Sequence, residues 1–385
     1  MLLGGECRKK CVSLQRLSYM DNKIQDYFLS LVRYSIGASD LPPSKMKPVE
    51  WKGVYEMAAA QAMLGICATG IERMDDSLRP TLTLTMRWAM NTIEIENRNK
   101  DLNGKCVELV ARLEADGLQA CVLKGQGAAM YYPNPARRQS GDIDVWVPGG
   151  HRRLMCYVRR RFPAVGAYYH HADYPVFPEV PVELHFMPSW MCNPFYDRRL
   201  QRWFEAEAAG QFAHVVSLPG GVGGVPVPTT RFNVVYMLLH IYRHLFAEGI
   251  GLRQCLDYYY VLKAFSDVPA GERAEAVVAI RRLGLYKFAR ALMFVLGHVF
   301  AMPAEWMIVP PTAGCGRFVL GEVLKAGNFG CHSGIDRSHG KSLRFYATKL
   351  RYKMHFLARF PGETLWGLYF SLWAKAWRAF NGYTD

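Results

Sequence analysis

The sequence predicts an α+β fold in which a compact strand-bearing core is flanked by helical regions on both sides. Two observations carry this expectation. Apolar residues recur at helical spacing from about residue 23 to 116, and again from Thr230 to the end. Between them, over about 118–228, short apolar runs are punctuated by Gly and Pro, which is the texture of strands and turns. No internal repeat or low-complexity tract is present, and at 385 residues the chain has the length of two or three domains.

The elements follow in order. Residues 1–19 form a basic stretch, read as a disordered, dispensable leader or a misplaced start, because Met20 opens a segment with Tyr27, Phe28, Leu31, Val32 and Ile36 at helical spacing. An N-terminal helical region covers 20–117. It includes the long periodic stretches 55–74 and 88–117, the second ending at Gly117, where a helix would stop. The core, 118–228, begins with CVLKGQGAAMYY (121–132), a buried strand, a Gly turn and a helix. GDIDVWVPGG (141–150) is a strand closed by Pro and Gly, HRRLMCYVRRRF (151–162) a helix, VPVELHF (180–186) an alternating strand, and 211–228 a hairpin around a Gly-rich turn. A helical domain spans 229–336, and a basic, Trp-rich helical tail spans 337–385.

Half of the residues are apolar and 13% are aromatic, which excludes a mainly disordered chain. Lys and Arg number 47 against 33 Asp and Glu, a net charge of +14. Its location matters more than its size. The first 19 residues carry +3 and residues 337–378 carry +8, leaving +3 for the body, so nucleic acid is the less favoured partner. The ten cysteines show no CxxC spacing and are read as reduced thiols. No secretory apolar core and no run of about 18 apolar residues is present, so a cytoplasmic location is expected.

The chemistry concentrates in 123–147 and 182–186. Side chains at i and i+2 of a strand share a face, so Asp142 and Asp144 project together. Two carboxylates repel unless a cation sits between them, and hard Mg²⁺ with its preference for oxygen fits, with Mn²⁺ as a substitute. Glu183 and His185 share a face of the neighbouring candidate strand. Side by side, the strands would complete a three-carboxylate site of Asp142, Asp144 and Glu183, as two-metal phosphoryl chemistry needs. Upstream, the turn at Lys124, Gly125 and Gly127 would aim backbone N–H groups at an anion, and Arg137 and Arg138 could neutralise phosphate oxygens. A solvated strand end and solvated arginines are the plainer alternatives.

LKG, YYPNP, GDIDVWV and VELHF, together with YHHADYPVF (169–177), HFMPS (185–189), HIYRHLFAEGIGLRQCLDYYYVL (240–262) and AGNFG (326–330), resemble the uncharacterised bacterial nucleotidyltransferase family of the DNA polymerase β-like superfamily. The resemblance runs over roughly 23–360. It implies an α+β fold whose small mixed β-sheet nucleotidyltransferase core is flanked by N-terminal and C-terminal helical regions. It further implies Mg²⁺-dependent transfer of a nucleoside monophosphate from a nucleoside triphosphate (NTP) to an unidentified hydroxyl acceptor on a small molecule, saccharide or protein. The wider superfamily's Gly-Ser turn is replaced here by Lys124-Gly125. In this mechanism Asp142 and Asp144 would hold the metal ions, and Glu183 would share one ion and take the acceptor's proton, with His185 as the alternative base.

Further residues carry weaker expectations. His240 and His244 stand at i and i+4 without a third ligand, and are expected to line the cleft rather than bind zinc. Gly249–Gln254 opens a helix at which Arg253 would receive a phosphate or sugar, unless it pairs with Asp257. His170 and His171, in a Tyr-rich loop, are expected at the surface. Residues 341–380 combine a basic helix with Trp and Leu, which suits an anionic membrane surface at the inner face, although a helical pair packed on the body is the favoured reading. Two other functions compete with the enzyme: a non-catalytic nucleotide- or nucleic-acid-binding protein that keeps the fold, and a peripheral membrane factor in surface-polysaccharide assembly.

Overall fold

In the computed structural model, residues 22–327 and 343–380 are described. The leader 1–19 and Asn328 lie outside them. In chain order the elements are α1 (Asn22–Ser35), α2 (Pro48–Ala60), α3 (Leu64–Arg73), α4 (Leu82–Ala115), β1 (Cys121–Leu123), α5 (Gly125–Ala129), β2 (Ile143–Trp146) and α6 (Gly150–Arg161). There follow β3 (His171–Asp173), β4 (Val182–His185), α7 (Pro194–Ala213), β5 (Val215–Leu218), β6 (Gly223–Pro226), α8 (Thr230–Ala247) and α9 (Leu252–Ala264). The chain closes with α10 (Ala270–Arg282), α11 (Tyr286–Phe300), α12 (Ala313–Ala326), α13 (Leu343–His355) and α14 (Pro361–Phe380). These form two compact units that interleave along the sequence. One comprises Met1–Glu94, His244–Tyr259 and Arg290–His355, and the other Ile95–Arg243, Tyr260–Ala289 and Phe356–Asp385.

The first unit is helical. In α1 the buried Phe28, Leu31 and Val32 fall at i, i+3 and i+4. Helix α2 starts at a Pro, with Glu50 accepting from the Lys47 amide at 2.7 Å and pairing with Lys23 at 2.8 Å. The periodic stretch 55–74 does not form one helix. It breaks between α2 and α3, where Ala62 takes a left-handed conformation (φ 54°). The buried Gln61 is drawn out of the helical pattern by tertiary bonds, accepting from the Leu252 amide at 2.8 Å and donating to the Leu324 carbonyl at 3.2 Å. Apolar periodicity persists through such a break, which is why the sequence pattern hides it.

The second unit contains the sheet, in the order β1-β2-β4-β3. β2 and β4 are parallel and the two outer pairs antiparallel, so the sheet is mixed, as expected. Strand alternation separates its faces. Val122, Ile143, Val145, Ala172, Val182 and Leu184 are buried in one core with Leu102, Cys106, Leu109 and Leu113 of α4 and Leu154 and Val158 of α6. The α4 residues recur at spacings of four, three and four, one stripe of the helix. The other face carries Asp144, Glu183, His185, His171 and Asp173. The hairpin expected over 211–228 is present as β5 and β6, a separate two-stranded sheet, with residues 211–213 closing α7 instead.

Helix α14 turns Trp366, Phe370, Trp373 and Trp377 inward at spacings of four, three and four. Phe370, Trp373 and Trp377 each meet Tyr169 edge-on, at 5.4, 4.9 and 5.7 Å between ring centroids. Phe370 also stacks near Trp190, Trp366 meets Phe195, and Trp377 meets His151. Of the helical pair expected to pack on the body, this second helix buries its aromatic face against residues of its own unit. Its opposite face leaves Leu365, Tyr369, Leu372 and Phe380 exposed, and no described helix is long and apolar enough to cross a membrane. In the first turn of α14, burial pushes the Glu363 carboxyl up to about 8. A carboxyl raised on folding keeps its proton while the unfolded chain loses its own, so stability falls as pH rises from the unfolded value of roughly 4.3 towards about 8. Glu363→Gln is expected to flatten that decline, measured as Tm from pH 5 to 8.

Candidate functional site

The site grows from the turn between β1 and α5. Lys124 adopts φ 51° and ψ −133°, a region that L residues rarely occupy and that costs roughly 1–3 kcal/mol. Gly125 follows at φ 37°, and a Cβ there would stand 3.6 Å from the carbonyl of Asp142, so the turn lies directly against the start of the Asp-Ile-Asp run. Gly127 sits in a tight place, since a Cβ would meet Val227 at 3.1 Å and the Val122 carbonyl at 3.4 Å. This backbone sends the Lys124 side chain inward, where its ammonium lies 3.0 Å from Asp144 Oδ2.

Asp144 sits on β2 in direct register with Glu183 on the parallel neighbour β4, and Asp173 of β3 is in register with Glu183 in turn. Strand pairing thus brings Asp144 and Glu183 side by side, whereas Asp142, expected to share a strand face with Asp144, precedes the strand because β2 begins at Ile143. The other oxygen of Asp144, Oδ1, accepts from His185 Nε2 at 2.8 Å, and the same nitrogen lies 3.3 Å from Glu183 Oε2. Asp144 is nearly inaccessible, so burial opposes its charge. The Lys124 ammonium and the His185 bond overcome that and hold its carboxyl well below the usual range. Burial likewise opposes the charge of Lys124 and of His185. For Lys124 the field of Asp144, and for His185 its bonds to Asp144 and Glu183, prevail and raise both pKa values. Glu183 is different, because burial raises its pKa despite the His185 bond, poising it to take up a proton. Asp142, partly exposed, precedes β2 in the loop against Gly125.

Two histidines expected at the surface are buried here instead. His171 opens β3 in register with His185, and its Nδ1 lies 3.6 Å from Glu183 Oε2. His170 Nε2 lies 3.0 Å from that same Nδ1. Burial keeps both imidazoles neutral, pushing His171 down to about 2 and His170 well below its ordinary value. The missed signal was His-Ala-Asp, a three-residue alternation too short to stand out from the Tyr-rich flanks. Trp190 packs on His170 at 3.9 Å between centroids, and the Arg243 guanidinium lies over the Trp190 ring.

The remaining residues singled out in the sequence are placed as follows. Arg138 is buried, donating to Ser140 Oγ at 2.9 Å, while its carbonyl accepts from Asn99 at 2.7 Å. Arg137 pairs with Glu96 at 2.9 Å. His240 is buried on α8 near Tyr236, and His244, one turn on, bonds Glu248 at 2.6 Å. Arg253 stands 4.0 Å from Asp257, the plainer of its two sequence readings. The amides that open α9 already have acceptors, Gly251 in Gln254 at 3.1 Å and Leu252 in Gln61 at 2.8 Å. His244 and Arg253 belong to the first unit, and Lys124, Asp142, Asp144, Glu183, His185 and His240 to the second.

The sequence signature of a family described as uncharacterised nucleotidyltransferase matches residues 47–301. The crystal structure of an antigenic nucleotidyltransferase-like protein from Paracoccidioides brasiliensis is similar to 48% of this chain and to 93% of its own, at 14% identity and a TM-score of 0.30. No curated protein matches the chain.

Proposed function

Taking as premise that this chain belongs to the uncharacterised nucleotidyltransferase family, we propose that it transfers a nucleoside monophosphate from an NTP to a hydroxyl acceptor, with Mg²⁺ or Mn²⁺ held by Asp142, Asp144 and Glu183. The observation that carries the reading is the register of Asp144 with Glu183 on adjacent parallel strands, beside the strained Lys124-Gly125 turn. The donor type suits a hard divalent ion, since all three groups are carboxylates, with Asp144 and Glu183 in register on one sheet face and Asp142 in the loop before β2. When bound, such an ion supplies charge neutralisation for the phosphates and acidifies the attacking hydroxyl.

The chain's own residues do the rest. Lys124, whose ammonium lies 3.0 Å from Asp144 Oδ2, would hold a phosphate oxygen. Glu183, whose pKa burial raises, accepts the proton of the acceptor hydroxyl. That oxygen bonds to the α-phosphorus, the α–β anhydride bond breaks, and pyrophosphate leaves with the electron pair. His185 Nε2 positions Glu183 and Asp144 together, so it acts through them.

A second reading has one observation in its favour. Both Asp144 oxygens already hold partners, the Lys124 ammonium and the His185 imidazole, as a nucleotide-binding protein without turnover could retain. The test incubates the full chain with an α-phosphate-labelled NTP, Mg²⁺ and cell lysate. The enzyme reading expects a labelled acceptor that chelation of Mg²⁺ abolishes. Nucleotide bound without any labelled product would favour the second reading.

A further inference from the structure

The sheet face that carries the carboxylates also carries a cluster of different chemistry. His170, His171, Glu183 and His185 each offer a ligand atom, and these atoms lie within 4.8 Å of one another. We propose that these four residues form a single-ion site for a divalent transition metal, with zinc as the favoured occupant. The inference goes beyond nucleotidyl transfer and does not depend on it.

Donor type sets the metal class. Three imidazoles and one carboxylate suit zinc and its neighbours, whereas magnesium takes oxygen ligands. Spacing agrees. Donors about 2.0–2.1 Å from a tetrahedral zinc stand about 3.3 Å apart. Here His170 Nε2 is 3.0 Å from His171 Nδ1, Glu183 Oε2 is 3.3 Å from His185 Nε2, and His171 Nδ1 is 3.6 Å from Glu183 Oε2.

The rings are also held in place. Tyr168 stacks on His171 at 4.7 Å, and Trp190 lies against His170. The far nitrogen of His171, Nε2, lies 4.0 Å from Asp173 Oδ1, which places a carboxylate near the ring without a hydrogen bond to it. Glu183 would be shared with the Mg²⁺ site, and engagement of His185 Nε2 by the ion would release Asp144 Oδ1.

Metal-stripped full-length protein titrated with Co²⁺ tests the site. The expected result is one equivalent bound with the visible bands of four-coordinate cobalt, no thiolate charge-transfer band, and displacement by one equivalent of Zn²⁺. His171→Ala is expected to weaken binding roughly 100-fold or more, while the exposed Cys156→Ser leaves it unchanged. Circular dichroism establishes that each variant is folded. Should His171→Ala fail to fold, His170→Gln is read by the same titration and expected to lose affinity similarly. Absence of cobalt bands in folded wild type, or undiminished binding in a folded histidine variant, would overturn the site.

Discussion

Asp142→Asn is expected to lower nucleotidyl transfer by about 10³-fold while leaving Tm close to that of the wild type. The separation of the two effects follows from position. Asp142 stands in the partly exposed loop before β2, outside the buried Lys124–Asp144 pair, so removing its charge breaks no buried ion pair described here. Its carboxylate matters for the charge it brings to the phosphates and the metal. A steady-state comparison of initial rates at saturating NTP, beside a thermal melt, measures both. A variant retaining more than a tenth of the activity would remove Asp142 from the catalytic set.

Lys124→Met is expected to show the largest stability effect, a loss of about 3 kcal/mol, because it leaves the buried Asp144 carboxylate with only His185 as partner. Removing both charges should cost less than removing one. Lys124→Met/Asp144→Asn is therefore expected to recover much of the loss, since neither side is then a buried, uncompensated ion. The pH dependence has a defined sign. In wild type the depressed Asp144 carboxyl contributes stability that is present at neutral pH and fades as pH falls through its folded value. In Lys124→Met that carboxyl takes up a proton more readily, so the deficit against wild type shrinks on acidification. Urea melts of wild type and the two variants at neutral and acid pH measure this, and a double variant less stable than Lys124→Met would contradict it.

Much of the fold was legible because its signals are local. Gly and Pro bracket the strands of 118–228, and strand parity paired Glu183 with His185 on one face, while the pairing of β2 with β4 that brings Asp144 to them, and the start of β2 after Asp142, needed the structure. What escaped depends on tertiary partners. Ala62 breaks a continuous apolar pattern where Gln61 bonds Leu252 and Leu324, and nothing in the local sequence marks that turn. β3 has three residues, and its burial follows from pairing with β4 and from the aromatic cover of Trp190 and Tyr169. For that reason His170 and His171 passed as surface residues. The turn at Gly249–Gln254 shows the converse, because its glycines and Arg253 resemble an anion site while Gln61 and Gln254 already accept its amides.

The most direct measurement of the central claim supplies the same NTP labelled in one preparation at the α-phosphate and in another at the γ-phosphate, with Mg²⁺ and lysate, to wild type and to Asp142→Asn. Transfer of a nucleoside monophosphate predicts that only the α label reaches the acceptor, that pyrophosphate accumulates in step, and that Asp142→Asn forms almost none of either. Transfer of the γ label, or equal labelling by both proteins, would contradict it.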